Sequence, residues 1–449
     1  MSMFYRYYSK KPSTISRIVR IRIPPKIYKK IRNNFVNIKI NNTIEFLYKI
    51  SKEKRFVIPK EINKEINFLD NNLIEIEEIK PIKRTREKIK IKNNKIELIQ
   101  IIPRNTRSGM PINLIIKKEK LICFYKSKRG MLRKIELKKE VPLEFCRFLG
   151  YYQAEGGKEK KINKRKGRQV VFTNTNQEII SDFLSLSKNM LETNLWYVEI
   201  RLKENNRKKE EFIKNMLENL GIDKKNIKIR IEKNLKDFSI RLYICSTILS
   251  DIIIKLMEEV KNYLIIKNVV DSKENLKMYV SFMQGLFAGD GNYNAYKNKE
   301  GGTHHKLIFY EEDYKYALQY CKLLKKIGIN SKVIKIKNKH LFIIKSTLNW
   351  KYLLLIKELG LFDYHARHKS SLIKAIQKHK SYKSHKYLAD IDKDFNIEKI
   401  QDIMKKERVI CYNWIRKMID RGMVIKKDIN QWSLSKESKR INKILSEIS

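Results

Sequence analysis

Acidic residues are scarce in this chain, cysteines are few and scattered, and long uncharged apolar runs are missing. Each shortage excludes something. Cys123, Cys146, Cys245, Cys321 and Cys411 lie far apart and form no CxxC pair, which argues against a structural zinc site and against a disulfide framework. No uncharged run reaches the about 18 residues that a spanning helix needs, and the opening MSMFYRYYSKKPS lacks the apolar core of a secretory leader. The expectation is a cytoplasmic protein with no membrane partner. The chain begins Met-Ser and ends Ile-Ser, without splice-junction residues, so an intein is not expected. Against 99 Lys plus Arg stand 49 Asp plus Glu, a formal net charge of +50, and an excess of this size seeks a polyanion. Lysine enrichment through heat adaptation normally brings glutamate with it. The imbalance therefore points to nucleic acid. With 449 residues, 42% of them hydrophobic, the chain can bury several cores, and length suggests about three domains.

Two segments repeat each other, FLGYYQAEGG at Phe148 to Gly157 and FMQGLFAGDGN at Phe282 to Asn292. At one offset Gly150 matches Gly285, Ala154 matches Gly289, Glu155 matches Asp290 and Gly156 matches Gly291. Small residues four apart share a helix face, so two such helices can touch backbone to backbone and bring the acids at their ends side by side. Two adjacent carboxylates repel unless a cation neutralises them. Oxygen ligands of this kind suit Mg²⁺ or Mn²⁺ and metal-assisted phosphodiester hydrolysis. One such helix alone would read as core plus C-cap. The segments downstream repeat as well: QVVFTNTNQEIISDFL parallels KLIFYEEDYKYALQYCKLL, Gly221 matches Gly328, and Ser246-Thr247 matches Ser346-Thr347. The offset shrinks along the way, which places a net insertion in the first repeat between Met190 and Gly221.

LGYYQAEGG and QGLFAGDGN resemble the first and second signature helices of single-chain, two-repeat LAGLIDADG homing endonucleases, and the resemblance covers roughly Val141 to Ser381. It implies an α+β fold of two pseudo-symmetric repeats, a saddle of two antiparallel sheets backed by helices. It also implies a helix interface at Gly150, Ala154, Gly285 and Gly289, and a divalent metal, Mg²⁺ or Mn²⁺, at Glu155 and Asp290. The implied activity is monomeric, site-specific double-strand DNA cleavage by an enzyme that is freestanding or intron-encoded. Lys345, read as ending the last strand of repeat two just before Ser346-Thr347, fits the basic residue that the family often places near the metal-bound water. Its counterpart in repeat one is Cys245, so help from a lysine is expected on one side only.

Strand periodicity sets Lys228, Arg230 and Glu232 against Ile227, Ile229 and Ile231. It sets Lys335, Lys337 and Lys339 against Ile334 and Ile336, and Arg201 and Lys203 against Val198, Ile200 and Leu202. Basic fronts with apolar backs suit phosphates before and helices behind. By the resemblance these faces read a long duplex DNA site. Two other classes stay open, a non-cleaving DNA-binding transcription regulator on the same fold and a maturase that binds intron RNA. Acids at both Glu155 and Asp290 count against the first.

The expected division is a basic α+β region over 1–140 that can also bind DNA, repeats over 141–270 and 271–381, and a C-terminal module over 382–449. VRIRIPPKIYKKI and KRFVIPKEINKEI look like two copies of a strand, a proline stop and a helix start, reminiscent of swapped-hairpin DNA-binding domains; an ordinary α+β packing domain reads equally well. IEKIQDIMKKERVICYNWIRKMIDRG reads as two helices with Ile410, Trp414, Met418 and Ile419 at helical spacing, and MVIKKDINQWSLS as a two-stranded wing. This pattern looks like a winged helix-turn-helix in which Tyr412, Asn413, Arg416 and Lys417 face the major groove. The segment bearing His365, His368, His379 and His385 is expected to be a solvated linker with phosphate contacts.

Overall fold

Isoleucine-rich strands and capped helices organise the chain, in a computed structural model that describes residues 4–9, 13–15, 18–31, 35–41, 44–50, 55–58, 72–78, 89–106, 109–117, 119–126, 132–156, 169–191, 195–204, 208–233, 235, 237–297, 303–336, 340–391 and 394–448. Contacts divide it into two units. One is Met1–Val141 with Asn189–Leu195 and Cys245–Lys255, and the other is Pro142–Lys188 with Trp196–Ile244 and Leu256–Ser449. No helix among the described residues is long and apolar enough to cross a membrane.

The first unit is built on an internal repeat. Strand Ile18–Arg22 leads through Ile23-Pro24 into helix Pro25–Lys30, with proline at the first turn, where a missing N–H costs nothing. Strand Arg55–Val57 leads to Ile58 in the same way, and the helix expected over KEINKEI lies outside the described residues. The two copies pair with each other. Arg20, Ile21 and Arg22 lie opposite Val57, Phe56 and Arg55, an antiparallel register centred on Ile21 and Phe56. Strands Phe35–Ile40 and Asn72–Glu78 pair about Ile38 and Ile76. Each of these is flanked in turn by a strand of the other copy or the adjoining hairpin, Phe4–Ser9 beside Asn72–Glu78 and Ile44–Lys49 beside Phe35–Ile40. Ile21, Ile23, Val36, Ile38, Ile58, Ile74 and Ile76 close one core between the copies. A meander of Asn113–Lys117, Lys120–Lys126 and Leu132–Lys138 follows, and Lys138 N–H donates to the Met190 carbonyl at 2.9 Å.

In the second unit, repeat one runs from helix Phe145–Glu155 through strand Val170–Asn174 and helix Gln177–Ser187, the latter capped by Asn176. Strand Tyr197–Leu202, helix Lys208–Asn219, strands Ile227–Ile231 and Phe238–Ile244, and helix Thr247–Ile266, whose residues up to Lys255 belong to the first unit, complete it. Repeat two runs through helix Lys273–Gly289, strands Asn292–Lys297 and Thr303–Glu311, helix Tyr314–Lys325, strands Lys332–Lys335 and Phe342–Leu348, and helix Trp350–Glu358. Its sheet is antiparallel throughout. In repeat one Tyr197–Leu202 pairs antiparallel with Phe238–Ile244 on one side and parallel with Ile227–Ile231 on the other. The insertion is thus a strand and a crossover helix, the connection that a parallel pair requires, and it makes this sheet mixed. Gly221 and Gly328 close helices Lys208–Asn219 and Tyr314–Lys325 at φ of 85° and 81°.

The histidine-bearing segment is folded rather than a solvated linker. Helices Ala366–Lys378 and Lys380–His385 are capped by the rings of His365 and His379, which accept from the N–H groups of His368 at 3.3 Å and Ser381 at 3.1 Å. Leu372, Ala375 and Ile376 supply a buried face, and His379 and His385 pack on Trp350. Helices Ile397–Met404 and Arg408–Asp420 follow, joined across Lys405 in the left-handed conformation, and then an antiparallel hairpin of Val424–Asp428 and Gln431–Leu434. Helix Arg408–Asp420 buries Cys411, Trp414, Ile415 and Met418, whereas Ile410 and Ile419 stay exposed. The buried stripe is centred a residue away from the expected one because Cys411 and Ile415 join it. The last helix, Lys436–Ser446, is tied to Trp350–Glu358 by Arg440 to Glu358 at 2.7 Å, and nearby Glu447 accepts from Lys357 at 2.9 Å.

Candidate functional site

The two acid-tipped helices, Phe145–Glu155 and Lys273–Gly289, touch through their glycines. A Cβ added at Gly150 would lie 2.1 Å from the Phe282 carbonyl oxygen, and one at Gly285 would lie 2.1 Å from that of Arg147. One at Gly289 would meet the Ala154 Cβ at 2.4 Å and the Glu155 Cγ at 3.2 Å. Only hydrogen fits at these points. The last contact sets Glu155 against the residue that immediately precedes Asp290.

Both carboxylates are half-buried. Glu155 is the last residue of its helix and Asp290 the C-cap of its own, with Asp290 N–H donating to the Leu286 carbonyl at 3.0 Å. Helix C-termini carry the negative end of the dipole, so each acid sits at the unfavourable end of a helix, and the two helix ends pack together at Gly289. A divalent cation relieves both. Among the described residues no group of three or more His, Cys, Asp and Glu side chains could hold a metal. A pair of carboxylate oxygens fits Mg²⁺, which is commonly held by one or two carboxylates together with water and substrate phosphate.

Behind the acids runs a buried polar chain whose members lie far apart in sequence and share no motif. Lys261, fully buried, donates to the Gln153 side-chain oxygen at 2.6 Å and lies 4.0 Å from the Tyr316 ring centre. Gln153 donates to the Tyr320 hydroxyl at 3.3 Å, which donates to Glu311 at 3.4 Å. Burial raises the Tyr320 pKa well above the usual value, and Asp290 and Glu311 add to this. On the other flank Arg147 holds Asp182 through two hydrogen bonds of 2.6 and 2.8 Å, and Tyr151 donates to the same carboxylate at 3.0 Å.

Lys345 is placed differently from the sequence expectation. Its strand continues to Leu348 and the next helix starts at Trp350 with Asn349 as cap, whereas in repeat one Ser246 accepts from Leu249 N–H and the helix starts at Thr247. Ser346 is buried within the sheet, and Thr347, β-branched, suits a strand. Lys345 therefore stands inside the strand. It lies opposite Ile308, as Tyr243 lies opposite Val171, so Tyr243 and not Cys245 is its counterpart by register. Lys332 faces Lys345 across the ladder. Lys306 lies alongside and lowers the Lys345 pKa, first by hydrogen bonding and then by charge.

On the first sheet Arg201, Lys228 and Arg230 share an open face with Glu199, Arg241 and Tyr243, while Val198, Ile200 and Leu242 are buried behind. Lys203 follows the strand end. Glu199 pairs with Arg201 at 2.6 Å, and Glu232 with Arg230 at 3.2 Å, so part of this charge is neutralised. On the second sheet Lys335 lies opposite Phe342 and thus shares a face with Val333 and buried Ile344, the reverse of the expected phase. Lys337 and Lys339 lie outside the described residues. The open face instead carries Lys306, Lys332 and Lys345 with Tyr296 and Tyr310, and no acid among the described residues of its strands. The alternation in HHKLIFYE was the signal that would have found Lys306.

In the C-terminal module Asn413, Arg416 and Lys417 are exposed. Tyr412 is half-buried, edge-on to Trp432, and donates to Asn430 at 3.1 Å.

Two α+β repeats joined through glycine-packed helices, each ending in a carboxylate, define the class of this protein. Residues 277–359 match the model of the LAGLIDADG-like domain, so repeat two is a LAGLIDADG-like domain. Among solved structures the chain is similar to mesophilic variants of the homing endonuclease I-DmoI, at 13% identity over 49% of this chain and 88% of that one, with a TM-score of 0.26. It is similar to I-DmoI in complex with DNA and Mn, at 13% identity over 53% and 97%, with a TM-score of 0.25. Full-length DUF199/WhiA from Thermatoga maritima is similar at 13% identity over 62% and 91%, with a TM-score of 0.29. No curated protein matches the sequence.

Proposed function

We propose that this protein is a site-specific, divalent-metal-dependent endonuclease that cuts both strands of duplex DNA as a cytoplasmic monomer. The observation that carries the reading is the pair of half-buried carboxylates, Glu155 and Asp290, at the ends of two helices in backbone contact. Mg²⁺ or Mn²⁺ held there supplies charge neutralisation and activation of water for phosphodiester hydrolysis. Glu155 and Asp290 bind and orient, one from each repeat, so that a single chain serves both strands. Lys345, flanked by Lys306 and Lys332, attracts phosphate and stabilises developing negative charge on the repeat-two side. Arg201, Lys203, Lys228 and Arg230 contact the duplex on the other side, and the module over 382–449 acts as a winged helix on flanking DNA through Asn413, Arg416 and Lys417. A purely regulatory DNA-binding role would not require an acid on both helices, and a maturase would place intron RNA on the same faces.

Binding sequences selected from a random duplex pool, cloned into a supercoiled plasmid, give the assay. With Mg²⁺ or Mn²⁺ the protein is expected to linearise this plasmid. Glu155→Gln and Asp290→Asn should each abolish linearisation and leave affinity unchanged or higher, because a negative charge near phosphate is lost. Linearisation by either variant at the parent rate would overturn the metal site. Binding without cutting by the parent protein would favour the regulator.

A further inference from the structure

Helix Arg408–Asp420 turns Cys411, Trp414, Ile415 and Met418 inward. At about 100° per residue the opposite line runs through Val409, Asn413 and Arg416, with Lys417 beside it. All four are exposed, and Val409 is 68% exposed. An exposed β-branched residue contributes little to a helix and here stays mostly in solvent, so folding gives little reason for Val409. Its surroundings are basic, with Lys405, Lys406, Arg408, Arg416 and Lys417 exposed nearby. The acids of the helix lie at its ends, Glu407 at the cap and Asp420 in the last turn. An exposed apolar side chain in a mainly basic setting matches a polyanion that offers an apolar group, and the major groove of an A·T pair is such a surface. It presents the thymine 5-methyl together with the adenine N6 and N7, which an asparagine amide can pair with at once. Val409 and Asn413 are one helical turn apart, with Cβ atoms about 6 Å from each other, the reach of one or two base steps.

We propose that Val409 packs on a thymine 5-methyl and Asn413 pairs with a neighbouring adenine, so that the C-terminal module selects an A·T-containing flank of duplex DNA. The proposal rests on the DNA reading above and adds to it the chemistry of the flank. It also separates the two nucleic acids, because uracil in RNA lacks the methyl group.

The test uses the full chain without divalent metal, on a duplex selected by it from a random-sequence pool. Thymines of that duplex are replaced by deoxyuridine, one block at a time, which removes only the 5-methyl. One block should lose about four- to tenfold in affinity. Val409→Ser, at an exposed position, should bind the thymine and uracil forms of that block equally, at the weakened level. Asn413→Ala should relax the adenine requirement in the same block. Indifference of the parent protein to uracil at every block, or a full thymine preference kept by Val409→Ser, would overturn the proposal while sequence-specific binding stood. If the pool yields no preferred duplex at all, the DNA reading falls with it.

Discussion

The glycines of the helix pair are not interchangeable with those of the turns. A methyl group at Gly285 meets backbone atoms of the partner helix, which cannot move aside, whereas at Gly328 nothing lies within 4 Å and only the φ of 81° opposes a side chain. Gly285→Ala is therefore expected to cost about 3 kcal/mol or more and Gly328→Ala about 1 kcal/mol, read from urea midpoints at constant m. Equal costs would mean that the helices can part. At Lys345 the neighbouring Lys306 depresses proton affinity. Lys345→Met should slow one strand selectively and reduce the build-up of nicked circle. Lys306→Met should move any alkaline fall in rate that depends on Lys345 to higher pH, because the repulsion that lowers its pKa is gone. A profile that stays in place separates Lys345 from the chemistry. The acid pair and its small-residue spacing could be read at this scale because a glycine contact leaves a pattern within one helix. The counterpart of Lys345 could not, because ladder register depends on where each strand ends, and the local Ser-Thr similarity hid a later helix start at Trp350.

Helices and strands show the same limit. The period of two in NIKIRIEK matched the observed sheet face, while the short strand Lys332–Lys335 gave too few residues to fix its phase, which is set by pairing with Phe342–Leu348. The histidine segment looked polar because its rings cap and stack rather than form an apolar stripe. That use of histidine has a consequence in acid. Burial first, then His365 and Arg367, push the His368 pKa down to about 4, and burial also lowers those of His305, His365 and His385. These rings stay neutral in the fold and take up protons once it opens. Between about pH 6.5 and pH 4 the unfolded chain binds more protons, so stability falls as pH falls through that window and is full above it. Thermal midpoints should drop across this range, and His368→Phe, which keeps a ring beside Phe362, should flatten the drop. A slope unchanged in that variant would place the sensitivity elsewhere.

Over the whole molecule the net charge of +50 predicts affinity that falls steeply with salt. Removing residues from Lys386 onward should shorten the footprint at one end and flatten the salt slope without moving the cut. An unchanged footprint would leave the module a protein contact. Two repeats with a lysine in one ladder and Tyr243 in the equivalent place of the other should cut unequally, so nicked circle should precede linear product. The first unit carries a different consequence, one of timing. Strand Phe4–Ser9 waits for Asn72–Glu78, and Met190 meets Lys138 only after repeat one has begun. During synthesis strand Phe4–Ser9 therefore settles after segments that emerge behind it, and nascent chains would hold this unpaired, aromatic-rich strand in reserve until its distant partner emerges.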